Sequence, residues 1–217
     1  MERVPEAGRT LGVLVAGGRG RRLGLAVPKA LATVGGRTFL ERALAALLGA
    51  CDDVVVALPP GFELPLGDAR RVDDLPGHGG ALGGLLAGLG AAPFDHAAVL
   101  GVDYPLMTAT VLGALLRACA REREAAPEVA ALVPAIEGRL QPLAAVYAKS
   151  ALAPMRRWAL AGGQSLMGAL DTLPALARAD EAALVRVAGA GAVGAFLNVN
   201  EPGDLARAAL LAGGSAA

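Results

Sequence analysis

Cysteine is nearly absent from this 217-residue chain: only Cys51 and Cys119 occur. Two thiols make neither a disulfide framework nor a zinc ligand set. Both read as buried, reduced thiols, which points to a reducing cytosol and a cytoplasmic protein. Aromatic residues make up only 3% of the chain, and the Ala, Gly and Leu that replace them read as the bias of a GC-rich genome. Net charge is also missing, because 20 Lys and Arg balance 20 Asp and Glu. No global field therefore argues for nucleic acid or a membrane surface as partner. The Ala/Leu stretches are broken by Gly, Pro or charge before they reach the ~20 residues that span a bilayer. Met1 to Thr10 hold no apolar core of secretory-signal length. No repeat or low-complexity linker is present, only a tail, Gly213 to Ala217, expected to be weakly ordered.

What is there suits one α/β domain over residues 1–217 with a sizeable core. Its most informative stretch is Leu11 to Lys29, LGVLVAGGRGRRLGLAVPK. The short apolar run Val13 to Ala16 reads as a buried strand. Gly17-Gly18-Arg19-Gly20 breaks it, Arg21 and Arg22 follow, and Lys29 comes after Pro28. Glycines let a backbone approach a polyphosphate and turn its N–H groups towards it. Cationic heads then neutralise what the amides do not reach. The plain alternative is a Gly-rich turn beside a solvated basic patch. Neither common nucleotide loop is present. No Gly-Lys-Ser/Thr completes a P-loop, and G-x-G-x-x-G misses its last glycine by one place.

Further along, apolar spacing predicts a helix over Phe39 to Leu48 and a strand over Val54 to Leu58. A short strand is expected from Ala69 to Val72, a glycine-dotted helix from Ala81 to Leu89, and a strand from Ala97 to Val102. Thr108 reads as the N-cap of a helix to about Glu124. Such alternation implies right-handed crossovers and a mainly parallel sheet. In the second half, Val129 to Pro134 and Pro142 to Ala148 read as strands, and Ala151 to Leu160 and Leu166 to Leu173 as helices. Ala183 to Ala188 and Phe196 to Val199 read as two more strands, and Gly203 to Leu211 as a closing helix. Ligands of open α/β sheets bind at the carboxyl ends of the strands. That rule gathers Gly17, Asp73, Asp103 and Asn200 around one crevice.

Asp103 is the sharpest candidate, because it directly follows a buried strand in Val99 to Leu106, VLGVDYPL. It could cap a turn before Pro105. It could equally hold Mg²⁺, which takes one or two carboxylates plus phosphates and water. His78 and His96 read as structural or solvated, Trp158 as packing, and Asp204 as a first-turn charge favoured by the helix dipole. Asn198 and Asn200 share one face and could form only a polar rim. Arg139 reads equally as a solvated turn residue or a phosphate ligand.

The first loop resembles the signature of nucleotidyltransferases with a GT-A-like fold, (L/V)-A-G-G-x-x-x-R-(M/L)-G followed by a lysine. Asp103-Tyr104-Pro105 resembles the C-D-x-P motif of molybdenum cofactor nucleotidyltransferases. Three segments narrow the resemblance to the MobA-type molybdenum cofactor guanylyltransferases: Gly79 to Leu89, Gln141 to Tyr147 (QPLAAVY), and Phe196 to Leu205 (FLNVNEPGDL). The resemblance implies a three-layer α/β/α sandwich with a mainly parallel, mixed sheet. Its N-terminal half would bind the nucleotide and its C-terminal half the acceptor. The implied activity is transfer of GMP from GTP to molybdopterin or the molybdenum cofactor, with Mg²⁺ as cofactor and pyrophosphate released. It further implies transient contact with proteins that deliver or accept that cofactor.

By matching position, Arg22 and Lys29 would bind phosphates and Asp103 the metal. Ala16, Gly17, Gly18, Arg19, Gly20, Gly80 and Gly84 would hold the nucleotide, together with Asp74, chosen over Asp73 by spacing. Gln141, Asn198 and Asn200 would lie on the acceptor side. The loop from Leu23 to Lys29 is one residue longer than usual, and Pro28 stands where the family has an acidic residue. That Pro-Lys pair resembles cytidylyl- and uridylyltransferases of sugar or polyol phosphates, which stays open as an alternative. A nucleotide-binding protein without activity is the other.

Overall fold

The computed structural model describes residues 8–18, 20–67 and 69–213, the side chain of Arg21 excepted. The expectations about Arg19, the first residues and most of the C-terminal tail lie outside the described residues. The chain opens with strand β1 (Thr10–Val15), followed by a small hairpin, β2 (Thr33–Val34) and β3 (Arg37–Thr38). Gly35 and Gly36 turn that hairpin with φ of 57° and 74°, left-handed values that glycine adopts without strain. Helix α1 (Phe39–Leu48) then leads to β4 (Asp53–Leu58), β5 (Arg70–Asp73), α2 (Gly80–Leu89) and β6 (His96–Gly101). Helix α3 (Ala109–Ala125) follows, then β7 (Val129–Ile136), β8 (Arg139–Leu140) and β9 (Ala144–Ala148). The last third holds α4 (Leu152–Leu160), α5 (Leu166–Leu170), β10 (Ala175–Ala179), α6 (Glu181–Ala188) and α7 (Pro202–Leu211).

The sheet order is β10-β7-β9-β6-β1-β4-β5, with β8 added to β7. β1 pairs in parallel with both β4 and β6, β4 with β5, and β7 with β10. β9 runs antiparallel between β6 and β7. The sheet is therefore mixed, with helices on both faces. The alternation of strand side chains splits the interior into two apolar layers. Leu14, Val54 and Val56 pack on the face of α1 and α3. Leu11, Val13 and Val55 pack on the face of α2 and α4. Burial pushes the Cys51 thiol up to about 12 and the Cys119 thiol up to about 11. Among the described residues, no helix is long and apolar enough to cross a membrane.

The helices and strands of the first half fall where the apolar spacing puts them, within about a turn. The second half departs in several places. Ala183 to Ala188, expected as a strand, lies inside α6, because the Asp180 carboxylate accepts from Ala183 N at 2.7 Å and starts a helix there. Phe196 to Val199 is not a strand either. Val193–Phe196 is a 3-10 turn, and Val199 N donates to Asp103 O at 2.8 Å, so the segment is tied to a loop rather than to a sheet edge. The strand that does form, β10, was not expected, since Ala-Leu-Ala-Arg-Ala carries no β-branched residue. Pro142 and Leu143 stay outside β9, and α5 stops at Leu170.

Glycines in α2 let that helix lie close on the sheet. A Cβ on Gly88 would run into the Val13 side chain, which is itself fully buried. Gly88→Leu should therefore destabilise the fold by about 1–3 kcal/mol, although leucine is the better helix former. A urea melt checks this, and an unchanged midpoint would mean that α2 stands further from β1.

Candidate active site

The strand-ends rule holds for most of its residues. A cleft of about 610 Å³ opens beyond the carboxyl ends of β1, β4 and β6, a size ordinary for a small-molecule site. Gly17 and Gly18 line one side, where the Pro59 ring leaves no room for a side chain on Gly17. The loop beyond turns at Gly20, whose φ is 65°, into a 3-10 turn anchored by buried Leu23. It is closed by Lys29 N donating to Gly18 O at 3.2 Å. Arg22 and Lys29 thereby face the same cleft from one loop. Ala16 sits beneath it, fully buried, its N–H bonded to Ala57 O.

Lys29 is the centre of the arrangement. It is only 7% exposed, and its Nζ donates to Asn200 Oδ1 at 2.7 Å and lies 3.7 Å from Asp103 Oδ2. Burial lowers its pKa, and the Asp103 charge only partly restores it. Asp103 is held by its neighbours: Val102 N donates to Val15 O at 3.0 Å, and Asp103 O accepts from Val199 N. Gly101 is bare where the Asp103 carboxylate folds back against it. Asp204 stands behind, its Oδ2 accepting from Asn200 N and Glu201 N at 2.9 Å each, so it caps α7 and holds the Asn200 backbone.

Asp74 and Asp73 separate clearly. Asp74 lines the cleft at 7% exposure, with no hydrogen-bond or ion-pair partner for its carboxylate among the described residues. Asp73 turns outward, where Arg71 binds it at 2.8 Å, so the crevice expected around Asp73 holds its neighbour instead. Gly80 and Ala81 bring the first turn of α2 into the cleft, with no side chain capping its amides. Gly84 lies behind them against Val15 and Asp74.

The acceptor-side candidates are more scattered. Asn200 and Leu143 line the cleft. Asn198 reaches it only through Asn200, whose Nδ2 donates to Asn198 Oδ1 at 2.6 Å. Gln141 is engaged at both ends, by Tyr104 OH and by Arg139 O, each at 2.9 Å. The exposed Arg139 side chain does not line the cleft. His78 bonds Ala159 O at 2.9 Å, and Trp158 Nε1 donates to Ser165 O, so both act as packing and tether. Tyr104, next to Asp103, is a core residue outside the cleft lining, its hydroxyl spent on Gln141.

A glycine loop with two cations, a carboxylate at the end of the neighbouring strand and this sheet order define a nucleotidyltransferase. The chain belongs to the MobA-like NTP transferase domain family, whose model matches residues 12–179. It is 39% identical over 168 residues to a probable molybdenum cofactor guanylyltransferase of Chloroflexus aggregans, covering 75% of this chain and 76% of that one. Over 63 residues, 29% of this chain and 27% of the other, it is 51% identical to a 2-C-methyl-D-erythritol 4-phosphate cytidylyltransferase of Deinococcus radiodurans. The crystal structure of molybdopterin-guanine dinucleotide biosynthesis protein A from Archaeoglobus fulgidus superposes with a TM-score of 0.74. That match covers 94% of this chain and 98% of the other at 23% identity, a likeness of fold.

Burial, and then repulsion from Asp73, raise the Asp74 pKa above its ordinary 3.8. The native state thus binds that proton more tightly than the unfolded chain. Stability is favoured at low pH and falls as pH rises from the ordinary carboxylate range through the raised value. Asp74→Asn should melt higher than the parent at pH 7, and the difference should vanish near pH 3.5. Thermal melts across that range check it, and an equal difference at both ends would place the carboxylate in solvent.

Proposed function

We propose that the protein transfers GMP from GTP to the terminal phosphate of molybdopterin or the molybdenum cofactor, releasing pyrophosphate. The observation that carries this reading is the meeting of Arg22, Lys29 and Asp103 in one cleft beside the glycine loop. The chain would work as one unit, the N-terminal half holding the nucleotide and the C-terminal half the acceptor. Arg22 and Lys29 neutralise the β- and γ-phosphates, with Gly17, Gly18 and Gly20 giving close backbone approach. Asp74 is an acceptor-only group when ionised. Guanine offers it two neighbouring donors, N1–H and the exocyclic amine, which a carboxylate can take together.

The acceptor phosphate is already ionised at neutral pH, so it attacks the α-phosphorus in line without a general base. Catalysis then rests on positioning and charge neutralisation. No group of three His, Cys, Asp or Glu side chains converges among the described residues, so the chain offers no all-protein metal cage. Mg²⁺ does not need one, since it binds through one or two carboxylates with phosphates and water. Asp103 fits as its protein ligand. When bound, Mg²⁺ supplies charge to the phosphate oxygens as it does in phosphoryl transfer generally. Leu143 and Asn200 flank the place left for the acceptor.

A second reading has its own support. The local likeness to the cytidylyltransferase, together with Pro28-Lys29, favours CTP and a polyol phosphate. Thermal stabilisation by GTP, CTP, UTP and ATP, each with Mg²⁺, separates the two, because the preferred ligand raises the melting temperature most. GTP should give the largest shift, and a larger CTP shift would replace the guanylyl reading. Asp103→Ala should cut turnover by about a hundredfold or more, roughly 3 kcal/mol of barrier. Pyrophosphate release measures it, and near-parental turnover would remove Asp103 from the metal role.

A further inference from the structure

Arg71 lies on β5, outside the cleft lining, yet its guanidinium is fully engaged. Nε and Nη2 donate to Asp73 Oδ1 at 3.0 and 2.8 Å, and Nη1 donates to Glu63 Oε1 at 3.0 Å. Nη1 also donates to Phe62 O at 2.7 Å, and Nη2 to Pro59 O at 3.2 Å. These bonds use the five donors that a guanidinium owns. The carboxylate partners are exposed, and ion pairs of that kind contribute little to stability. The two carbonyl bonds are part-buried and belong to a single turn. Phe62 N donates to Pro59 O at 3.0 Å across it, with Pro60 and Gly61 at its corners. A proline followed by a glycine with φ of 73° is what a type II turn uses. Arg71 grips both ends of that turn with one planar fork.

The turn matters to the cleft because it begins with Pro59. That residue lines the cleft, and its ring packs against Gly17 of the glycine loop. β4 ends just before it, and Leu58 O accepts from Asp74 N at 2.9 Å. The apolar Pro59 ring and the Asp74 carboxylate therefore leave the paired strands β4 and β5 side by side, both lining the cleft. We propose that Arg71 is a positioning residue for the nucleoside half of the cleft. By tying the Pro59 turn to β5, it holds the Pro59 ring at a set distance from the Asp74 carboxylate, where a base is received. The phosphate half, with Arg22, Lys29 and Asp103, does not depend on it. This role rests on the nucleotidyl-transfer reading, whichever base is preferred.

Arg71→Lys keeps the charge but replaces the fork by a single ammonium, so the field over the phosphates stays as it is. Calorimetric titration with GTP, CTP and inorganic tripolyphosphate, each with Mg²⁺, reads the two halves apart. In Arg71→Lys the tighter of the two nucleotides should bind about three- to tenfold more weakly, on the scale of one hydrogen bond. Tripolyphosphate, which meets only charges and amides that the variant keeps, should bind within roughly twofold of the parent. KM for the nucleotide should rise by the same factor with kcat close to the parent, as when a contact made equally in ground and transition states is lost. Gly61→Ala strains the turn from its other side, since a Cβ there meets no neighbour and only the left-handed φ opposes it. It should give the same split with Arg71 in place, and it decides alone if Arg71→Lys does not fold. Equal weakening of nucleotide and tripolyphosphate, or no weakening of either in folded variants, overturns the proposal and leaves the transfer reading standing. A parent protein that binds neither nucleotide overturns the transfer reading and this role with it.

Discussion

A buried lysine charge is the constraint around which the rest of this structure is arranged. Taking an ammonium out of water is costly, and Lys29 is withdrawn almost completely. What offsets that cost is a carbonyl oxygen from Asn200 and a carboxylate from Asp103. Neither can be supplied locally. Asp103 needs β6 laid beside β1, and Asn200 needs the chain to return after 171 residues. The first loop is therefore complete only when the sheet has formed and the segment before α7 has folded over it.

The same constraint explains why lysine and not arginine stands at this position. The chain uses arginine for nearly all its cations, yet keeps one of its two lysines here. A compact ammonium with three freely directed donors can serve Asn200, Asp103 and a ligand at once. A planar guanidinium is wider and directs its donors within one plane. Where a cation has only to be long and charged, as at Arg22 on the exposed side of the loop, arginine suffices.

Much of the first half could be read from the chain because its elements are local. β1, β4 and β6 are apolar runs of strand length, and α1 carries its own capping box of Thr38 and Glu41. Asp103 and the glycine loop declared themselves by sitting at the ends of such runs. The second half was less legible because its elements depend on partners distant in sequence. β10 is a strand because β7 offers it an edge, and its alanines say nothing of that. Residues 196–199 look like a strand by alternation, but Val199 N is spent on Asp103 O and Leu197 N on Gly194 O rather than on a sheet neighbour.

β9 runs against both of its neighbours. A strand that enters the sheet from the cleft end brings with it the turn before it, and here that turn carries Gln141 and Leu143. The β7–β8 hairpin is continuous with that turn. Insertions or substitutions in the hairpin can thus remodel one wall of the cleft while the strands under the glycine loop keep their register.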